Sequence, residues 1–133
     1  MKIKSLMVIN AIVALVFGAG FILAPGQGIS LYGVEETAAL KYTVQLIGAA
    51  FLGFAVLTWS ARNSPESEAR GAIVLALFIA DGVGFVLSLI GQLGNVLNAL
   101  GWSTVAIYLL LALGFGYFQF AKPTSSDTPF FTE

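Results

Sequence analysis

Four long apolar stretches, separated by short clusters of glycine, proline and charge, set the pattern of this chain. A helix needs about 20 mostly apolar residues to cross roughly 30 Å of hydrocarbon. Such runs occur at roughly 6–24, 41–61, 71–91 and 99–120, which predicts an all-α bundle of four transmembrane helices. Each run has a physical stop. Pro25 cannot continue the first span, and Gly26 and Gly28 follow it. Arg62-Asn63-Ser64-Pro65 ends the second, and Lys122-Pro123 ends the fourth. Ser64-Pro65-Glu66 also reads as a helix start, with Ser64 as cap, Pro65 in the first turn and Glu66 paired to Arg70 one turn on. The 25–40 connection fits a loop, a re-entrant turn or an interfacial helix. The 91–100 connection reads as an extension of the fourth span. Residues 1–121 then form one domain, with 122–133 a short flexible cytoplasmic tail.

Composition sharpens this. Of 133 residues, 58% are hydrophobic and 10% charged, against about a quarter charged in soluble domains. The net charge of −1 offers no field for nucleic acid. Without cysteine or histidine, thiol chemistry and the usual zinc and haem ligands are excluded, and no cofactor is expected. Cations set the topology: Lys2, Lys4, Arg62, Arg70 and Lys122 lie on one side, and Lys41 alone on the other. The positive-inside rule therefore predicts a multi-pass protein of the cell membrane with both termini cytoplasmic. The first apolar run exceeds the about 7–15 residues of a signal-peptide core, so it is expected to be retained as a span.

Small residues bring helices together in lipid, where no hydrophobic drive acts between them. In the third span Ala72, Ala76, Ala80, Gly84 and Ser88 recur every fourth residue, which predicts a shallow packing groove. Gly18, Gly48 and Gly53 are the matching candidates in the first two spans. Short glycine–aromatic clusters recur in all four spans and read as packing chemistry rather than a duplication.

One residue breaks the apolar pattern. Of seven carboxylates, six lie in loops or the tail, and Asp81 sits at the centre of the third span, about 15 Å from either edge at 1.5 Å per residue. An ionised carboxylate there costs at least about 2.5–3.5 kcal/mol. Asp81 must stay neutral and donate a hydrogen bond, or face a partner or a polar cavity. Depth matching makes Tyr108 its first partner. A wider set, Tyr42, Gln45, Asp81, Ser88 and Tyr108, is a candidate lining for an outward-facing pocket binding a proton or small ligand. Asn10 sits nearer the inner surface, within reach of a partner on the second or fourth span but not of Asp81 directly.

Pro25, Leu31-Tyr32-Gly33-Val34 and Gln45-Leu46-Ile47-Gly48-Ala49-Ala50 together resemble small uncharacterised prokaryotic four-helix membrane proteins of the DoxX-like and domain-of-unknown-function type. The resemblance covers the first two spans best. It implies a four-helix bundle and carries no activity and no site residues. Small multidrug-resistance transporters share the size and span number, but use a first-span glutamate that this chain lacks. Vitamin K epoxide reductase relatives need cysteine pairs. The leading functional expectation is a structural or accessory bundle that associates with itself or another membrane protein through its small-residue faces. The alternative is a proton-linked carrier or small-ligand-binding protein using Asp81. A lipid-modifying enzyme comes last, since paired carboxylates, histidine and an activated nucleophile are missing.

Overall fold

The computed structural model describes residues 1–121 and is all-helical there: α1 Ile3–Leu23, α2 Pro25–Leu31, α3 Ala38–Ala61, α4 Glu68–Leu93 and α5 Gly101–Phe120. The tail expected from residue 122 onward lies outside the described residues. All but α2 are long and apolar enough to span a membrane. Their outer faces carry Leu15, Val16, Val56, Leu87, Leu110 and Leu113, each more than half exposed. A continuous apolar exterior of that kind suits hydrocarbon rather than water.

The connections follow from local chemistry. Pro25 ends α1 and takes the first position of α2, where its missing N–H is not needed. The open question about 25–40 is thus answered by a two-turn helix followed by a short extended link. Two helix ends share one closure, the Schellman motif. At α2, Val34 N–H donates to Ile29 O (3.3 Å) and Gly33 N–H to Ser30 O (2.9 Å), with Gly33 at φ +78°. At α4, Val96 N–H donates to Gly91 O (3.0 Å) and Asn95 N–H to Gln92 O (3.1 Å), with Asn95 at φ +59°. The latter overturns the expected extension of the last span: α5 starts only at Gly101 because the chain turns sharply after α4. The cap of α4 is Ser67, whose hydroxyl accepts from Arg70 N–H (3.2 Å), not Ser64. Glu66 therefore precedes the helix, and Arg70 reaches back to Ser64 O (3.2 Å) instead of pairing with it. At the same end of the bundle the Arg62 guanidinium lies 3.9 Å over the Trp59 ring, a cation–π pair suited to a membrane–water boundary.

The four spans form two antiparallel pairs. α1 packs along α3, α4 packs along α5, and the pairs meet through a thinner α1–α5 contact. The α1–α3 pair is closest at Gly18 and Gly48: a Cβ on Gly48 would lie 2.9 Å from Gly18 O, and one on Gly18 would lie 3.0 Å from Gly48 O. Gly18 and Gly48 are two of the small residues named above as packing candidates. Gly53 does not take part, since a Cβ there would meet nothing within 4 Å. The α4 groove also differs from expectation. Ala72 and Ala76 are exposed, Gly84 packs beneath the Tyr108 ring, and the buried face is Val74, Leu77, Asp81 and Gln92. The reason is rotational. A four-residue step advances about 40° around a helix of 3.6 residues per turn, so five such residues wind through about 160° and cannot share one face.

Near the chain's N-terminal end all four spans join in one apolar cluster of Leu6, Met7, Ala61, Val74, Leu77, Leu111 and Phe115. Gly114 makes room for Leu6, and Gly116 for Phe78. Farther along, toward the Asn98 loop, the two pairs part.

Candidate functional site

Where the pairs part, they enclose a cavity of about 440 Å³ lined by α1, α3, α4, α5 and Tyr32 at the end of α2. Its floor includes Leu77 and Leu111, which belong to the apolar cluster. One wall, from α1 and α3, carries Phe17, Phe21, Phe51 and Phe54. These rings follow one another at centroid separations of 5.9, 6.0 and 6.4 Å. The facing wall, from α4 and α5, carries Asp81, Thr104 and Tyr108.

Asp81 reaches this space because Val74, Leu77 and Asp81 recur at steps of three and four, which puts them on the inward face of α4. It is only 7% exposed, and its Oδ2 is buried with no hydrogen-bond partner among the described residues. The expected Asp81–Tyr108 hydrogen bond is not formed among the described residues. Both side chains line the same cavity, but the tyrosine ring is committed elsewhere. Its Cε1, Cδ1 and Cζ lie 2.5, 2.6 and 2.8 Å from where a Gly84 Cβ would stand, so the ring rests on the α4 backbone where glycine leaves room for it.

The rest of the predicted polar set is not gathered. Gln45 Nε2 donates to Ile22 O (3.1 Å) and ties α3 to the end of α1. Ser88 Oγ donates to Phe85 O (3.1 Å) within its own helix, a common way for a membrane-embedded hydroxyl to satisfy itself. Tyr42 is 64% exposed on the outer surface of α3. Asn10 bonds to the second span, as its depth implied: its Nδ2 donates to Thr58 Oγ1 (3.4 Å), which itself donates to Phe54 O (2.8 Å). Sequence reasoning missed that Asn10 also borders the cavity, and it missed Thr104, Tyr32 and the phenylalanine wall. The FGAGF and FLGF clusters were the visible signal for that wall.

Next to Tyr32, at the loop end of the bundle, Asn98 makes a set of hydrogen bonds. Its Nδ2 donates to Leu31 O (3.0 Å) and its N–H to Tyr32 O (2.9 Å), while its Oδ1 accepts from Leu100 N–H (3.0 Å). Gln92 Nε2 donates to Asn98 O (2.9 Å), and Gln92 Oε1 presses against Gly101. One asparagine thus links the α4–α5 turn to the end of α2, across the two pairs. Asn98→Ala should lose about 1–2 kcal/mol of stability, the net worth of two hydrogen bonds. It should also speed amide hydrogen exchange at 31–34 and 98–101, while exchange around Leu6 and Phe115 stays unchanged. Uniform exchange across the chain in that variant would show that Asn98 does not act as a local clasp.

Searches of family models, curated proteins and solved structures find no match to this chain.

Proposed function

We propose that this multi-pass membrane protein binds a small molecule in the cavity between its two helix pairs, with Asp81 as the polar anchor. The observation that carries this is Asp81, which lines about 440 Å³ of space and whose buried Oδ2 has no hydrogen-bond partner among the described residues. A carboxyl acting only to hold helices together would spend both oxygens on neighbouring donors, because an unsatisfied buried polar group costs about 1–3 kcal/mol. A largely apolar pocket with a few convergent polar groups is the common form of a small-molecule site. An accessory role through small-residue faces draws less support, since Gly84 is already covered by Tyr108 and the remaining small residues of α4 wind around the helix. The excess of Lys2, Lys4, Arg62, Arg70 and Lys122 on one side supports cytoplasmic termini. The Asn98 clasp then faces the exterior.

Photolabelling of the protein in lipid nanodiscs with an alkyl-diazirine alcohol tests the binding reading. Labelling that saturates at Asp81 or Tyr108, and that Thr104→Phe suppresses by filling the space, is the expected result. Labelling spread over the lipid-facing residues of all four spans, without saturation, would overturn it.

A further inference from the structure

Resting on that binding reading, we infer that the ligand is a lipophilic organic cation: a protonated amine carried on an apolar body of the size of a substituted aromatic ring. The argument begins with charge. Of the residues that border the cavity, Asp81 is the one carboxylic acid, and none is a lysine, arginine or histidine. The polar groups that share the space with it are Thr104 and Tyr108 from α5, Asn10 from α1 and Tyr32 from the end of α2. None is a cation, and Asn10 already donates to Thr58. The chain's described cations sit at helix ends or loops, at Lys2, Lys4, Lys41, Arg62 and Arg70. An ionised Asp81 therefore has no counter-ion among the described residues, and the complement arrives with the ligand.

The opposite wall points the same way. Four phenyl rings offer no hydrogen-bond donor, and each ring face carries partial negative charge that attracts ammonium groups, most strongly where water is excluded. An anion would meet the acid on one side and the rings on the other, with no basic group to hold it. A neutral alcohol could bond to Asp81 but would gain nothing from the ring faces beyond apolar contact. A cation gains from both walls at once. The space of about 440 Å³ is equal to the liquid volume of about 15 waters at ~30 Å³ each, enough for a ring with a short alkylamine arm.

The test compares three probes with one body and different heads, 4-phenylbutylammonium, 4-phenylbutanol and 4-phenylbutyrate, as competitors of the diazirine label on the full-length protein in zwitterionic nanodiscs. The ammonium should displace the label at a concentration roughly tenfold or more below the alcohol, with the carboxylate weakest. In Asp81→Asn, close in shape to the native residue, the ammonium should lose that advantage while the alcohol is unchanged. Phe51→Leu, which removes a ring and leaves the acid, should weaken the ammonium more than the alcohol. The head-group comparison in the native protein and in Phe51→Leu decides the matter even if Asp81→Asn folds poorly. An alcohol that competes as well as the ammonium in the native protein would overturn the cation assignment and leave the binding reading standing. If none of the three probes displaces a saturating label, the cation assignment falls alone; if the label never saturates, both fall.

Discussion

Replacing Gly48 with leucine is expected to separate α1 from α3 and to leave little folded protein. A Cβ at this position would lie 2.9 Å from Gly18 O, 2.9 Å from Ile22 Cγ1 and 3.0 Å from Phe21 Cβ. Two of those three atoms belong to the backbone or to the root of a side chain and cannot rotate away. The clash is reciprocal, since the α1 side of the contact is Gly18, whose own Cβ would meet Gly48 O and Leu52 N at 3.0 and 3.1 Å. The helices can accept leucine only by moving apart along their shared length. Overpacking in a core that can adjust costs about 1–3 kcal/mol, and a rigid backbone contact puts this site at or above the top of that range. In lipid the loss is not offset, because separated helices find lipid tails as apolar as each other and close van der Waals packing is the main attraction. Size-exclusion profiles and thermal melts of purified Gly48→Leu and Gly53→Leu read the effect. Gly53→Leu should behave like the native protein, because a Cβ there meets nothing within 4 Å. Equal behaviour of the two variants would mean that α1 and α3 do not approach at Gly48.

That contrast marks where the sequence was legible. The spans were readable because runs of about 20 apolar residues with charge only at their ends have few alternatives. Their ends were less so. Ser64-Pro65-Glu66 and Ser67-Glu68 are both good helix starts, and only the packing of α4 decides between them; the structure uses Ser67. Gly33 and Asn95 were visible as turn residues, yet the full closure at each depends on hydrogen bonds between residues five apart, which the types alone do not specify. Small residues occur in every span, so composition could not say which would touch. Contact depends on the rotational phase of each helix pair, which admits Gly18 with Gly48 and leaves Gly53, Ala72 and Ala76 open.

The candidate site divides along the same line. Asp81 stood out because a lone acid at mid-span has a large electrostatic cost in any arrangement. Its surroundings were only half legible. Counting residues gives the height of Tyr108 or Gln45 along the membrane normal but not the direction in which either points. Tyr108 is at the right height and in the right cavity, yet its ring lies on Gly84; Gln45 spends its amide on Ile22 O. The cavity itself arises because two well-packed pairs meet closely at one end and part farther along, a property of the pairs together that no single segment encodes.

Asp81→Leu is expected to make the protein more stable while removing ligand binding. In the folded state the carboxyl is 7% exposed and one oxygen has no partner. Leucine abolishes that cost, about 1–3 kcal/mol for an unsatisfied buried polar group, and places apolar surface against Leu77 and the space beside it. The choice of reference state fixes the sign. In an SDS-unfolded state the micelle lets the acid reach water, so the cost falls on the folded state alone; in an intact bilayer a separated α4 would carry part of it too, and the gain would shrink. Titrating detergent-solubilised native protein with SDS and following helicity should place the unfolding midpoint of Asp81→Leu above the native value, with Asp81→Asn between them or near the native protein. A midpoint well below the native one would mean that Asp81 holds a structural bond in the folded bundle, and the binding reading would lose its main support. A residue whose removal stabilises the protein has no place in a purely structural bundle. A midpoint above the native one would be the pattern of a carboxyl kept for binding at some cost to the fold.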